Sequence, residues 1–409
     1  SSSASRTCAR CVCSQRPDWC LRFGTVPSAD RIPKNPREVR LDAPSGQHYL
    51  DTLTGVAAAA GLDRIGVAPA ASLLRTRAEM ARRQAAGLVN DMKFTYLKPE
   101  RSTDPSALVP DARTVIVGAR SYDIAPTDTV VDGVRAQVAR YAWVDHYAEL
   151  KTSLKAVAGR LRRDGHRAVV FADDNSIVDR EVAWLAGIGW YGKNANILVP
   201  GAGSFFVLGC IVTTADLPLA MPVEDNCGSC TRCIPACPTG AIPEPGVIDA
   251  NKCLSWLLQK PGVFPREHRE ALHDRIYGCD DCQTACPFVR RQSPRRTDTP
   301  TESTVDVLEL WGMDDTRLME RCDRWYVHDR DPLWVRRNLM VILGNIGNPG
   351  NREVVAAVSE GVAHQHPVIR AHAVWTAARL GLDHLVPTDD TDPMVAAEIA
   401  HLPALRGSL

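Results

Sequence analysis

Two cysteine runs constrain this chain more than any other feature of its sequence. The first, from Cys227 to Pro238, has the order C-x2-C-x2-C-x3-C-P, and the second, from Cys279 to Pro287, has the order C-x2-C-x3-C-P. The first order is typical of proteins that bind two [4Fe–4S] clusters. Because such clusters carry single electrons, the runs predict an electron-transfer protein or a reductive enzyme.

The spacing of the cysteines also predicts which of them share a cluster. Three thiolates at C-x2-C-x2-C surround one cluster, and the cysteine before the proline crosses to the other. The second run lacks its first cysteine, because Ile276 occupies that position, and Cys253 between the runs is the obvious replacement. We therefore predict cluster 1 from Cys227, Cys230, Cys233 and Cys286, and cluster 2 from Cys237, Cys253, Cys279 and Cys282.

Zinc and disulfides are the alternative uses of closely spaced cysteines. Zinc also binds C-x2-C pairs, but zinc ribbons rarely show three cysteines at this spacing followed by x3-C-P. Disulfides are disfavoured, because cysteines this regular indicate metal ligands in a reducing compartment. Four more cysteines, at Cys8, Cys11, Cys13 and Cys20, lie in a segment without helical or strand periodicity, which favours a disordered or artefactual extension over a metal site.

Composition narrows the class of protein without identifying it. The 409 residues are 45% hydrophobic and 23% charged, which suits a globular chain of two or three domains. The formal net charge is zero, which excludes a generally basic nucleic-acid-binding protein but leaves a local basic patch open. No apolar run reaches the length of a membrane span, so a cytoplasmic protein without membrane contact is expected.

The order of predicted strands and helices gives an α+β fold in five segments. Strands alternate with helices in the second segment, which predicts an α/β layer domain. Within it, residues 196–199 and 204–213 are predicted to form a hairpin around the turn at 200–203. The predicted segments are an extension at 1–45, the layer domain at 46–222, the cluster module at 223–292, a linker and helix at 293–330, and a helical domain at 331–409.

The C-terminal segment contains a weak internal repeat. Pro332 and Pro367 each open a helix, and each helix ends near a glycine, which is normal helix punctuation. A shorter helix at 352–362 lies between them, which is the layout of HEAT-like helix pairs. Two copies are too few for a free solenoid, so this segment is expected to pack on the rest of the chain.

Three segments of the layer domain are candidates for a reaction site. In Phe171–Ile177 a hydrophobic strand ends in Asp173 and Asp174, either of which is a candidate proton donor or a helix cap. Residues 187–196 are rich in glycine, which lets backbone approach a ligand, although a plain helix end and loop explain it too. Residues 140–147 gather His, Asp and Tyr before a long helix, which Asp145 also suits as a cap.

These residues resemble the epoxyqueuosine reductase family over about residues 47–385. The most specific match is Asp225–Ile242, and Gly187–Asn194 is similar to the family's G-L-G-W-I-G-K-N. Further matches are Cys253-Leu-Ser-Trp256, Arg275–Pro287 and the strand that begins at Ser204. The resemblance implies a nitroreductase-like domain that binds cobalamin, a two-cluster ferredoxin-like module and C-terminal HEAT-like helices.

The resemblance also implies roles for individual residues. The family's proton donor lies seventeen residues before the tryptophan of the glycine-rich motif, which here is Asp173 before Trp190. Electrons would pass from the clusters to cobalamin, which would remove the epoxide oxygen of epoxyqueuosine at the wobble position of a tRNA. The implied cobalamin contacts are Tyr96, Asp173, Lys193, Asn194, Asn196 and Ser255.

The implied partners are a tRNA, bound near its anticodon, and an external electron donor such as a flavodoxin or ferredoxin, with the protein as a monomer. Arginines are the expected contacts with tRNA phosphates. The candidates are Arg290, Arg291, Arg295 and Arg296 after the cluster module, and Arg336, Arg337 and Arg370 on the helical repeat.

The chain departs from the family pattern beside its candidate proton donor. Asp173 is followed by Asp174-Asn175-Ser176 where the family has [ST]-A-P, and the family's D-Y-H appears as Asp145-His146-Tyr147. A corrinoid iron–sulfur reductase of another substrate, similar to reductive dehalogenases, is therefore one alternative. A ferredoxin-type electron carrier without a corrinoid is the other.

Overall fold

A computed structural model describes residues 43–92, 96–128, 132–290, 293–295 and 299–406. From Pro44 onward these residues form one unit. The predictions for residues 1–42, with their four cysteines, and for Arg291 and Arg296 lie outside the described residues. No helix in the described part of the chain is long and apolar enough to cross a membrane.

The first part of the chain builds a four-stranded sheet between helices. The elements up to residue 213 are α1 (Ala43–Ala59), β1 (Arg64–Pro69), α2 (Leu74–Ala85), α3 (Pro99–Ser102), β2 (Thr114–Ser121), β3 (Arg135–Val138), α4 (His146–Arg163), β4 (Ala168–Ala172), α5 (Asp179–Leu185), β5 (Trp190–Tyr191), β6 (Ile197–Leu198) and β7 (Phe206–Thr213). The sheet has the strand order β1-β2-β7-β4, and each neighbouring pair is antiparallel.

The side chains of β2 point alternately to the two faces of the sheet, and both faces are covered by apolar residues. Ile116 points into a core shared with α1 and α4, which includes Leu53 and Leu154. Its neighbours Val115 and Val117 point into a second core that includes Val182 of α5. Successive strand residues face opposite sides, so an apolar run such as Val115–Val117 suits a strand buried on both faces.

The predicted hairpin between residues 196–199 and 204–213 is wrong. Strand β6 pairs with β5, whereas β7 pairs with β2 and β4. The chain turns between β5 and β6, where Ala195 has a positive φ of 61° and donates its backbone N–H to the Gly192 carbonyl. Only a single bridge, Val199 to Gly203, forms at the expected turn.

The middle of the chain joins the predicted cluster module to its neighbours through a second sheet. Strand β3 pairs in parallel with β8 and antiparallel with β9, so three predicted segments share one sheet. The elements here are α6 (Leu254–Leu257), α7 (Arg266–Leu272), β8 (Arg275–Tyr277), α8 (Asp281–Thr284), α9 (Pro287–Arg290), β9 (Thr304–Asp306), α10 (Val307–Gly312) and α11 (Asp315–Arg321).

The C-terminal part is helical, with helices at the predicted positions. Asn351 caps one helix by accepting from the Glu353 N–H, and His366 caps the next, before Pro367 at its first turn. A single core runs from Ile124 through the cluster module to Leu382. The helices are α12 (Leu333–Ile346), α13 (Arg352–Val362), α14 (Pro367–Arg379) and α15 (Pro393–Arg406).

The helical arginines do not form the predicted tRNA surface. Arg337 is fully buried and donates to the carbonyls of Lys260 and Gly262, which fixes α12 to the cluster module. Arg336 bonds Asp315 and Arg370 bonds Asp390, and both side chains are mostly buried. The prediction fails at these positions because the arginines satisfy backbone carbonyls and carboxylates within the fold, which a sequence repeat cannot reveal.

A buried ion pair attaches the last helix, and its loss is expected to destabilise the fold. Arg269 and Glu398 join at 2.9 Å with 0% and 2% of their side chains exposed. Removing one partner of a buried pair leaves an uncompensated charge, so Glu398→Gln is expected to lower the free energy of unfolding by about 3–5 kcal/mol. Denaturant unfolding of the purified protein measures this change.

The matched control is Glu270→Gln. Glu270 bonds Arg379 at 3.3 Å with 58% of its side chain exposed. Exposed pairs contribute about 0–1 kcal/mol, so this variant is expected to unfold almost as the parent does. Equal losses in the two variants would contradict the structural role given to the Arg269–Glu398 pair.

Candidate functional site

The structure brings the four predicted cluster 1 cysteines to one cleft. Cys227, Cys230, Cys233 and Cys286 line this cleft together with Lys193 and Asn194. Burial raises the pKa of Cys233 to about 11, and the neighbouring sulfurs of Cys227, Cys286 and Cys230 contribute to the rise. Cys286, from the second run, therefore lies with three cysteines of the first run.

The four predicted cluster 2 cysteines also lie together. Burial raises the pKa of Cys282 well above its usual value, and the nearby sulfurs of Cys279, Cys253 and Cys237 raise it further. Cys253 precedes the short helix α6, and burial likewise raises its pKa. The cysteine chosen to replace the missing ligand thus lies where a fourth ligand is needed.

Among the described residues, no three His, Cys, Asp or Glu side chains converge closely enough to hold a single metal ion. The ligands of a [4Fe–4S] cluster bind different iron atoms, so they surround a larger volume than the ligands of one zinc ion. The two four-cysteine sets have the ligand chemistry that such clusters require.

The glycine-rich segment at 187–196 contacts both cysteine runs. The buried Lys193 donates from Nζ to the Gly228 carbonyl at 2.7 Å, and the buried Asn194 donates from Nδ2 to the Cys282 carbonyl at 3.1 Å. Gly189 permits β5 and β6 to pair closely, since a Cβ at Gly189 would lie 2.2 Å from the Leu198 carbonyl oxygen. The segment is therefore a joint between the layer domain and the cluster module.

The same segment surrounds the sulfur of Cys227. Burial raises the pKa of the Cys227 thiol, whereas the Lys193 backbone N–H and the Trp190 side chain lower it by favouring the thiolate. The Trp190 ring is 2% exposed and meets the Phe288 ring edge to face, with centroids 5.3 Å apart. Sequence analysis places Trp190 in a motif but gives no sign that its indole faces a cysteine.

Asp173 lies directly after β4 on an exposed loop. Its φ of 52° is in the left-handed region, which few residues other than glycine and asparagine adopt readily. Asp174 bonds the Ser176 backbone N–H at 2.7 Å, which forms a local turn. Neither aspartate caps the following helix, because α5 begins at Asp179 and its cap residue is Val178.

The charge of Asp173 acts on three groups that lie near it. Burial raises the pKa of Tyr147, Tyr277 and Asp179, and the charge of Asp173 contributes to each rise. Tyr277 ends β8, two residues before Cys279, so it links the cluster 2 set to Asp173. Asp179 is missed by sequence reasoning, because an aspartate at a helix start suggests a cap and its burial is invisible in the sequence.

The segment at 140–147 contains Tyr147, one of the residues on which the charge of Asp173 acts. Asp145 caps α4 by accepting the Ala148 N–H at 2.8 Å, which confirms that reading of Asp145. Asp280, between two cluster 2 cysteines, accepts the Arg140 N–H at 2.6 Å, and burial raises its pKa to about 6. Its other oxygen is buried without a hydrogen-bond partner.

The remaining predicted cobalamin contacts lie on segments that hydrogen bonds hold together. Gln84 Nε2 bonds the Tyr96 carbonyl at 3.4 Å, and Arg83 bonds the Gly246 carbonyl at 3.0 Å. The Gly246 N–H bonds the Lys193 carbonyl at 2.9 Å. Asn196 and Ser255 are partly exposed. The structure thus places these residues around the junction of the layer domain and the cluster module.

Two family models match the chain, each over one of its functional parts. The model for epoxyqueuosine reductase QueG, DUF1730, matches residues 102–174, which end just beyond Asp173. The model for the 4Fe-4S double cluster binding domain matches residues 226–289, which contain both cysteine runs.

Relatives from distant bacteria are similar over most of the chain. An epoxyqueuosine reductase of Xanthomonas campestris is 34% identical over 343 residues, which are 79% of this chain and 94% of that protein. One from Bacillus cereus is 34% identical over 344 residues, which are 79% of this chain and 87% of the relative.

Solved structures of epoxyqueuosine reductases are also similar to this chain. A crystal structure of epoxyqueuosine reductase with an epoxyqueuosine-modified tRNA-Tyr stem loop is 26% identical, with a TM-score of 0.79 over 88% of this chain and 99% of that one. A Bacillus subtilis epoxyqueuosine reductase, solved with its catalytic aspartate loop swung out of the active site, is 25% identical with a TM-score of 0.78 and the same coverage. The chain therefore belongs to the epoxyqueuosine reductase family and is an oxidoreductase with a double [4Fe–4S] cluster-binding domain.

Proposed function

We propose that the protein reduces epoxyqueuosine to queuosine at the wobble position of a tRNA. Opening an epoxide to an alkene removes one oxygen as water and consumes two electrons and two protons. The observation that carries the proposal is Tyr277, two residues before Cys279 at the end of β8, whose raised pKa includes a contribution from the charge of Asp173. The candidate proton donor is thus near the segment that leads into the second cysteine run.

The two four-cysteine sets are the proposed ligands of the electron supply. Cys227, Cys230, Cys233 and Cys286 would hold one [4Fe–4S] cluster, and Cys237, Cys253, Cys279 and Cys282 the other. When bound, these clusters carry single electrons from an external donor such as a flavodoxin or ferredoxin. The exposed loop around Ser229 and Arg232 leaves the first set accessible to such a donor.

Cobalamin is the proposed second cofactor, and when bound it supplies the reduced cobalt that removes the epoxide oxygen. Its proposed contacts are Tyr96, Asp173, Lys193, Asn194, Asn196 and Ser255. Supporting this set, hydrogen bonds connect the segments that carry Tyr96, Lys193 and Asn196 to one another and to the cluster module. Hydroxyl, amide and ammonium groups are suitable partners for the amide side chains of a corrinoid ring.

Asp173 is the proposed proton donor to the departing oxygen. The solved Bacillus subtilis relative has a catalytic aspartate loop that swings out of its active site. In this chain the exposed Asp173 loop follows the paired strand β4, and beyond the aspartate the Val178 N–H bonds the Ser102 carbonyl and Arg101 bonds Ser176.

The proposed macromolecular partner is the anticodon region of a tRNA. A solved relative binds such a stem loop. Lys98 and Arg101 are exposed beside the Asp173 loop and could neutralise phosphates there, in place of the buried helical arginines. A cytoplasmic monomer with a nitroreductase-like layer domain and HEAT-like helices completes the proposal.

Binding measurements separate this function from its alternatives. Reconstituted protein is expected to show the absorbance bands of bound cobalamin as well as those of iron–sulfur clusters, whereas a ferredoxin-type carrier would bind no corrinoid. Its affinity for tRNA is expected to fall steeply as salt rises, since phosphate contacts release counterions. Cobalamin binding without salt-dependent tRNA binding would favour a corrinoid reductase of another substrate.

A further inference from the structure

Lys193 places a positive side chain against the first cysteine run. Its Nζ donates to the carbonyl of Gly228, in the middle of the Cys227–Cys230 turn, and Lys193 is only 9% exposed. Lys193 also lines the cleft formed by the four cluster 1 cysteines. A charge so placed is little screened by water, so it acts strongly on any charge in that cleft.

Trp190 lies beside the same cleft. Its indole nitrogen is buried and has no hydrogen-bond partner, and its ring is held by Phe288, which also lines the cleft. A buried N–H without an acceptor is available to a suitable partner in the cleft. The sulfur of a cluster 1 cysteine is such a partner once it is a thiolate bound to iron, because its negative charge strengthens the bond.

We propose that Lys193 and Trp190 set the reduction potential of cluster 1 and so act as positioning and tuning residues for electron transfer. The inference rests on the proposed ligation of cluster 1 by Cys227, Cys230, Cys233 and Cys286. Reduction adds one electron from a low-potential one-electron donor and makes the cluster more negative. A buried ammonium in the cleft and a buried N–H beside it stabilise that added charge, which raises the potential.

The same contacts predict that the reduction potentials of the two clusters are affected differently. Asn194, the neighbour of Lys193, reaches the second run but offers a neutral amide to the Cys282 carbonyl. Cluster 1 thus receives a charged group from this segment, whereas cluster 2 receives a neutral one. The segment is expected to shift the potential of cluster 1 selectively.

The test is a redox titration of the reconstituted protein, followed by electron paramagnetic resonance of each cluster. In Lys193→Gln, the ratio of reduced to oxidised cluster 1 at a fixed potential is expected to fall about tenfold, equivalent to about 59 mV for one electron. Trp190→Phe keeps the aromatic ring and removes only the N–H, and it is expected to shift the same wave in the same direction. Lys193→Arg is expected to restore most of the parent potential.

Arg232→Gln is the matched control. Arg232 lies in the same cysteine run but is exposed, so water screens its charge and the variant is expected to leave the potential nearly unchanged. Parent-like potentials in both Lys193→Gln and Trp190→Phe, or equal shifts of both cluster waves, would overturn the inference. If Lys193→Gln fails to bind cluster 1, the reduction potential of cluster 1 in Trp190→Phe tests the inference instead.

These readouts do not depend on tRNA turnover. If the parent protein binds no iron–sulfur clusters, the proposed ligation fails. If it binds both clusters and the variants leave their potentials unchanged, only the role of Lys193 and Trp190 fails.

Discussion

Asp173→Asn is expected to lower the turnover of epoxyqueuosine-containing tRNA by about 10²- to 10⁴-fold, the usual contribution of a positioned general acid. Asparagine tolerates the left-handed backbone at this position, so the loop is expected to keep its shape. Iron content and cobalamin binding are expected to match the parent. Single-turnover assays with reduced enzyme measure the loss without interference from the electron donor.

Asp174→Asn is the matched control for this prediction. Its side-chain oxygen can still accept the Ser176 N–H, so the local turn is retained while one carboxylate is removed. Turnover is expected to stay within a few-fold of the parent. Equal losses in the two variants would show that loop charge, rather than a proton from Asp173, limits the reaction.

Cys253→Ala is expected to remove cluster 2, with about half of the bound iron and nearly all turnover. Cys253 lies with Cys237, Cys279 and Cys282, and without it that set has only three sulfur ligands. Iron and sulfide analysis of the reconstituted protein, together with paramagnetic resonance of the reduced state, measures the loss.

Cys322→Ala separates ligation from the packing of a buried cysteine. Cys322 is 1% exposed in the core that also contains Tyr277 and lies outside both four-cysteine sets. This variant is expected to keep a full complement of iron. A parent-like iron content in Cys253→Ala would contradict the ligand set proposed for cluster 2.

Local signals along the chain predict some of the helices well. Helix α13 at Arg352–Val362 has the predicted bounds, because caps and apolar periodicity are local signals. The grouping of the cysteines also follows from spacing, since short intervals force neighbouring thiols to one side of a turn. Cys253 completes the four cysteine ligands that cluster 2 requires.

Long-range partners were not predictable from these patterns. Residues 196–199 were assigned to the wrong hairpin because Ile197 and Leu198 have the same apolar character whether they pair with β5 or β7. Arg337 was placed on the surface because a charged residue is usually exposed, yet carbonyls of the cluster module surround it. Asp179 and Trp190 gain their positions beside Asp173 and Cys227 only through tertiary contacts.

The most direct test of the proposed function is anaerobic turnover with reconstituted clusters, cobalamin, a reductant and tRNA that contains epoxyqueuosine. Mass spectrometry of the digested tRNA measures queuosine. We expect queuosine to accumulate when cobalamin is present and to be absent when it is omitted. Unchanged epoxyqueuosine at full cluster and cobalamin occupancy would contradict the proposed function.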